Sequence, residues 1–201
     1  MARSNPVVGE SAAAPASDDA LVARARGGDA EAFRALMDAH RDRVYALCAR
    51  MLRSPADAEE VAQDAFVRAW LALPRFRGES SFSTWLHRIA VRRAIDRAQT
   101  LRARRAREAG LGEGGAEIAA PAAGAPPARM RRLAALVADL PPAQRAAVTL
   151  YYLEDRSVEE AAKILGLPEN TVKTHLSRAR AALRSAWLAG EAGDELGLRG
   201  I

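Results

Sequence analysis

Apolar side chains recur at every third or fourth position over residues 33–52 and again over residues 58–70, with polar residues between them. This spacing is typical of amphipathic helices that each bury one face. Local signals mark the ends of these helices. Asp29 is a candidate N-cap for the first helix, and Ser54-Pro55 ends that helix and starts the next one.

The C-terminal half of the chain shows the same spacing in four shorter helices. The first of them carries an apolar stripe at Met130, Leu133, Leu136, Val137 and Leu140. The second begins at Pro141-Pro142 and continues through Val148 to Leu153. Ser157 and Glu160 form a capping box that opens the third. A turn at Gly166 precedes the last helix, whose inward face is expected at Val172, Leu176, Ala179 and Leu183.

Composition divides the chain into units. Residues 1–17 are rich in Ala, Ser and Pro and predict a disordered lead-in, and residues 108–128, rich in Gly, Ala and Pro, predict a flexible linker. The ordered units are expected at 18–107 and 129–189, followed by a tail at 190–201. No strand-like alternation occurs, so we predict an all-α fold of two small helical domains, the second a helix-turn-helix.

The charge balance changes the picture, because 30 Lys+Arg stand against 25 Asp+Glu. The excess indicates a polyanionic partner, although an arginine-rich, alanine-rich chain from a GC-rich genome would show it too. Cys48 is the one cysteine, so no disulfide forms within the chain, which fits a reducing cytosol. There is no secretory signal and no apolar run long enough to span a membrane, so a cytoplasmic location is expected.

The strongest chemical signal is the helix-turn-helix, whose second helix is of a size that enters the major groove of DNA. An undecorated helical hairpin is the alternative, but the turn, the cap and the scarcity of acids after Glu169 favour DNA binding. His175 is expected at the surface or on a phosphate, because no second His or Cys lies near it. The outward donors are Thr171, Lys173, Thr174, Ser177, Arg178 and Arg180.

A second basic element follows the loop RFRGESS. The helix that begins at Phe82 carries eight arginines between Leu86 and Arg107 and one acid, Asp96. Such a stripe can follow a phosphate backbone, although a solvated face is the alternative. The loop places Phe76 and Phe82 around a small polar segment, which predicts a pocket for an unstacked base.

An acidic surface is the third feature. Asp57, Glu60 and Asp64 are spaced to share one outward helix face, which predicts either a solvated face or a docking site for a protein. These carboxylates have no His, Cys or Ser partner at catalytic spacing, and the sequence shows no phosphate loop or metal-ligand spacing. We therefore expect no enzyme, no cofactor, no metal and no small-molecule substrate.

Three stretches, DAEEVAQDAFVRAW, FRGESSFSTWLHRIAVRRAID and LPPAQRAAVTLYYLEDRSVEEAAKILGLPENTVKTHLSRARAALR, together resemble the extracytoplasmic-function (ECF) sigma factors of bacteria. The resemblance implies binding to RNA polymerase core enzyme, promoter-specific initiation of transcription, as in a stress or envelope response, and a possible anti-sigma factor. It places the polymerase face at Asp57, Glu60 and Asp64. The minus-35 contacts would be Lys173, Thr174, Ser177 and Arg178, within the outward set above.

The resemblance also assigns the minus-10 element to the first unit. The family commonly has Asn where this chain has Arg92, so base preference there does not follow from the resemblance. A stand-alone helix-turn-helix regulator is the alternative function, but it leaves the loop and the acidic helix without a task. The minus-10 residues would be Arg77, Gly78, Glu79, Ser80, Ser81, Trp85, Arg88, Arg92 and Arg93.

Overall fold

A computed structural model describes residues 17–110 and 127–195, with side chains for 17–108 and 127–190. The predicted lead-in, linker and tail lie almost entirely outside these ranges. Every regular element within them is helical, which confirms the all-α prediction. The helices are α1 (Asp18–Arg26), α2 (Ala30–Met51), α3 (Pro55–Ala72), α4 (Phe82–Gly110), α5 (Ala128–Asp139), α6 (Pro142–Val148), α7 (Val158–Leu165) and α8 (Glu169–Glu195).

The predicted start signals cap the helices they precede. The Asp29 carboxylate accepts a hydrogen bond from the Ala32 N–H at 3.0 Å, and this bond, with one from Arg24, lowers the pKa of Asp29. Ser54 caps α3 in the same way, with Pro55 in its first turn. Such caps satisfy N–H groups that have no partner inside the helix.

The first unit is built around α2, α3 and α4, which pack against one another. Both predicted stripes face this core, and Leu36, Val44 and Leu47 of α2 are fully buried there. The sequence reasoning missed α1, which is capped by Ser17 and packs against α2. Its Asp18 lies 2.8 Å from Nε2 of the buried His40.

The second unit corrects one expectation. Met130 and Leu133 of α5 are exposed, whereas Leu136 and Val137 are half-buried and Leu140, just after the helix, is buried. The predicted stripe therefore faces the core only in its C-terminal half. The reason is that α5 lies against α8, where the guanidiniums of Arg129 and Arg132 cover the ring of Trp187 at 5.3 and 4.5 Å. The second predicted helix of this unit is not α-helical throughout. After Val148, where α6 ends, the chain continues as a π-helical turn, Thr149–Leu153.

The two units pack together in what we call the closed arrangement, in which α4 lies against α6 and α7. Arg145 of α6 is buried at this junction. Its Nη1 donates to the Met51 carbonyl at the end of α2 at 2.6 Å, and its Nη2 donates to the carbonyls of Ala138 and Leu140. The buried apolar side chains of both units form one core cluster.

Candidate nucleic-acid interface

The helix-turn-helix is held in shape by local hydrogen bonds. Ser157 Oγ accepts from the Glu160 N–H at 3.1 Å, and the Glu160 carboxylate accepts from the Ser157 N–H at 2.9 Å, which confirms the capping box. Gly166 ends α7 with φ of 66°, a left-handed conformation that other residues adopt only with strain. The turn therefore fixes the direction in which α8 leaves α7.

The predicted inner and outer faces of α8 are largely confirmed. Val172, Leu176 and Ala179 are buried, so the residues opposite them point away from the core. Thr171 and His175 are half-buried instead, and Nδ1 of His175 is buried without a hydrogen-bond partner. The exposed residues are Lys173, Thr174, Ser177, Arg178 and Arg180.

The loop before α4 is exposed at Arg77, Gly78, Glu79 and Ser81, with Ser80 half-buried. Gly78 has φ of 72°, so a side chain there would strain the turn. Ser81 has a structural task as well, because its Oγ accepts from the Thr84 N–H at 3.2 Å in the first turn of α4. The loop thus has a defined backbone conformation and outward polar groups.

The aromatic residues beside this loop correct a second expectation. Phe76 and Phe82 do not flank an open pocket, because both are buried. Their ring centroids lie 6.4 Å apart in an edge-to-face contact, and Trp85 lies 4.9 Å from Phe76. Packing of this kind buries large apolar areas, so Phe76 and Phe82 form the floor on which the loop rests and are not available to stack on a base, whereas Trp85 is half-buried.

The arginines of α4 are mostly engaged within the protein. Arg93 binds Asp64 at 2.7 Å, and Arg97 binds Asp57 at 2.5 Å. The Nε of Arg88 donates to the carbonyl of Lys163 in α7 at 2.9 Å. Arg92 is exposed and has no partner within the described residues.

The predicted acidic face is not a free acidic surface, because its carboxylates pair with these same arginines. Asp57, Glu60 and Asp64 lie along the side of α3 that meets the arginines of α4, and Asp57 is only 15% exposed. Burial raises the pKa of Asp64, but hydrogen bonds from Arg68 and Arg93 outweigh it, so its pKa lies below the ordinary value. The three carboxylates therefore form ion pairs that join α3 to α4, and of the three Glu60 is the most exposed to solvent. We call the exposed side of α3 at Glu60 the outer edge of α3.

Two exposed apolar residues extend that edge, and the sequence reasoning did not identify them. Val67 and Leu71 are 58% and 71% exposed on α3. They follow Glu60 and Asp64 at spacings that place all four near one another on the helix surface. In the sequence, Val67 and Leu71 are apolar but fall outside the buried stripe of α3, and this mismatch could have identified them as exposed apolar residues.

His87 was also missed as a special site. It is buried in α4 with no partner for Nε2, and a cavity beside it is lined by residues of both units. Burial first, and then the positive charge of Arg156, lowers the pKa of His87 to about 4.

Among the described residues no cluster of three metal-ligating side chains occurs and no helix is long and apolar enough to cross a membrane.

The geometry defines a two-unit helical protein with a helix-turn-helix, a motif typical of DNA-binding proteins. Comparison with known families extends this class: the model for Sigma-70 region 2 matches residues 36–106, and the model for Sigma-70, region 4 matches residues 130–183. The ECF RNA polymerase sigma factor SigW of Bacillus subtilis is 34% identical over 173 residues, covering 81% of this chain and 92% of SigW.

Solved structures agree. CnrH in complex with the cytosolic domain of CnrY is 29% identical with a TM-score of 0.59, covering 86% of this chain and 97% of CnrH. The sigma factor RpoE of Bartonella quintana, in complex with the anti-sigma factor NepR, has a TM-score of 0.59 at 24% identity, covers 76% of this chain and 94% of RpoE, and shows the fold alone. The chain belongs to the ECF sigma factors. It therefore directs transcription as a sigma factor and is not a stand-alone regulator.

Proposed function

We propose that the second unit reads the minus-35 promoter element with the exposed face of α8. The observation that carries this is the row of donors at Lys173, Thr174, Ser177 and Arg178, set on a fully buried backing. A helix held rigidly in this way can place its side chains against base edges in the major groove. Thr171, His175 and Arg180 border that row and are assigned to the phosphate backbone.

The first unit is assigned the minus-10 element. The loop from Arg77 to Ser81 presents polar groups around the turn at Gly78, and Trp85 supports it from below. Arg88, Arg92 and Arg93 follow on α4. Of these three, Arg92 is the side chain without an internal partner, so it is the first candidate for a contact to the melted strand.

The polymerase-binding face is assigned to the outer edge of α3. Asp57, Glu60 and Asp64 remain in the assignment, with Val67 and Leu71 added as its apolar part. Exposed apolar side chains next to charged ones are typical of a protein-binding surface. The acidic groups also position α4, so a partner that contacts this edge contacts the helix pair that carries the minus-10 residues.

The partners and the location of the protein follow from these assignments. The protein acts in the cytoplasm with RNA polymerase core enzyme and promoter DNA, and it catalyses no reaction of its own. An anti-sigma factor is a further expected partner, as NepR is for RpoE of Bartonella quintana. The division into a domain at 18–107, a linker at 108–128 and a domain at 129–189 belongs to the same proposal.

The experiment is in vitro transcription with purified protein, core polymerase and a library of promoter fragments. We expect start sites that depend on the added protein and a complex with core enzyme that survives gel filtration. If no start site depends on the protein and no complex forms with core, the function is wrong for this chain.

Paired variants test the residue assignments. Arg178→Ala is expected to cost about 1–3 kcal/mol of discrimination at an upstream base, with Arg184→Ala on the same helix as the control. Leu71→Asp is expected to weaken core binding while Leu188→Asp, a matched change at an exposed position of α8, leaves it intact. Normal core binding by Leu71→Asp would show that the polymerase face lies elsewhere.

A further inference from the structure

A basic cleft lies where the two units meet, and none of its lining residues belongs to the surfaces assigned to DNA or polymerase. Its cavity has a volume of about 220 Å³. The first unit lines it with Arg53, which lies between α2 and α3, and with Arg102 and Arg105 of α4, and the second unit lines it with Asp139 and Arg145. The remaining lining is apolar or small.

The charges in this cleft do not balance. Four guanidiniums face one carboxylate, an excess of three positive charges. Asp139 is paired with Arg53, and Arg102 and Arg105 are exposed with no partner among the described residues. Like charges held together in this way repel one another, so the arrangement favours binding of an anion.

Arg145 supplies a second and independent observation. Two of its nitrogens are used in bonds to the carbonyls of Met51, Ala138 and Leu140. Its Nε is buried and has no hydrogen-bond partner. Arg145 is therefore held in place in the wall of the cleft, where its positive charge adds to those of Arg102 and Arg105. Burial first, and then the charge of Arg53, lowers the pKa of Arg145, and Arg102 and Arg105 act in the same direction.

We propose that this four-arginine cleft binds a small anion with two linked phosphate groups and that the bound anion holds the two units in the closed arrangement. Arginine pairs with phosphate oxygens through two parallel hydrogen bonds, and Arg102 and Arg105 have donors that no described residue occupies. One phosphate group carries about −1.5 to −2 charges, so two of them match an excess of three positive charges.

Closure follows from the position of the cleft. Arg102 and Arg105 belong to one unit and Arg145 to the other, so an anion in the cleft is attracted by the charges of both units only when the units are packed. A ligand that binds one state alone stabilises that state according to its concentration relative to its Kd. The site does not depend on the proposed function, whereas any effect of the anion on transcription does.

The test uses the full chain and inorganic pyrophosphate, measured by isothermal titration calorimetry at about physiological salt, where the Debye length is about 8 Å. We expect saturable binding to one site. The double variant Arg102→Ala/Arg105→Ala is expected to weaken it roughly tenfold or more, equal to at least one 1.4 kcal/mol step. The matched variant Arg104→Ala/Arg107→Ala removes two neighbouring arginines of α4 outside the cleft and is expected to change the Kd less than about twofold.

Small-angle scattering reports closure in the same samples, because pyrophosphate is expected to reduce the radius of gyration of the wild type and not of the Arg102/Arg105 variant. If the Arg102/Arg105 and Arg104/Arg107 variants lose the same pyrophosphate affinity, or if binding does not saturate, the result means an adventitious ion only and overturns the site. No pyrophosphate binding, together with weaker promoter binding by the Arg102/Arg105 variant, would overturn it in favour of a contact to the DNA backbone.

Discussion

The buried imidazole of His87 makes the stability of this protein depend on pH in a defined direction. Its pKa is about 4 in the folded chain against an ordinary value of 6.5. The unfolded chain therefore binds the proton more readily between these two values. Stability is complete above about pH 6.5 and falls as the pH decreases toward 4, since protonation favours the unfolded chain.

The size of this effect follows from the two pKa values. Each unit of pKa difference corresponds to about 1.4 kcal/mol, so the full penalty below pH 4 is about 3 kcal/mol. At about pH 5 the His87 contribution to the loss is about 2 kcal/mol, where most carboxylates are still ionised. That amount is a substantial part of the free energy of unfolding of a small domain.

Urea unfolding followed by circular dichroism, at about pH 7.5 and about pH 5, measures this loss. The variant His87→Gln cannot take up the proton and is expected to lose about 2 kcal/mol less between the two conditions than the wild type. Gln99→Asn, at an exposed position of α4 that carries no titratable group, is the control and keeps the wild-type difference. If His87→Gln and the wild type lose the same stability, burial does not hold this imidazole neutral and the reasoning is refuted.

Two further predictions concern a cap and a thiol. Ser157→Ala removes the side-chain half of the capping box and is expected to lower the free energy of unfolding by about 1 kcal/mol, seen as a lower Tm, whereas an unchanged Tm would mean that the cap does not limit stability. Cys48 is buried and burial raises its pKa to about 12, so a thiol reagent at mildly alkaline pH is expected to label it only after unfolding. Rapid, stoichiometric labelling of the native protein would contradict that expectation.

The parts of the fold that were predictable from sequence are those with local causes. Asp29, Ser54 and Ser157 cap helices because each side chain bonds a backbone group three residues ahead. Such a bond needs only its own segment, so its signal is written in consecutive residues. The buried face of α8 follows equally from helical spacing around Val172.

The rest depended on contacts between distant segments. Arg97 and Asp57 are 40 residues apart, and Arg145 and Met51 are 94 apart, so no local pattern indicates that they pair. The aromatic pair Phe76 and Phe82 illustrates the same limit. Spacing alone allowed these rings to flank a pocket, and only the packing of α4 beneath the loop shows that they are buried.

The ion pairs between α3 and α4 have a consequence for how salt affects promoter binding. Neutralising a DNA phosphate releases condensed counterions, and the logarithm of the binding constant falls by about 0.9 per phosphate for each tenfold rise in salt. Eight free arginines on α4 would contribute a slope of about −7. Arg93 and Arg97 already pair with carboxylates of α3, Arg104 pairs with Glu108 of α4, and Arg102 and Arg105 lie in the basic cleft. The three remaining arginines would contribute about −2.7. If the first unit binds promoter DNA as proposed, its binding is therefore expected to weaken less with salt than its arginine content implies.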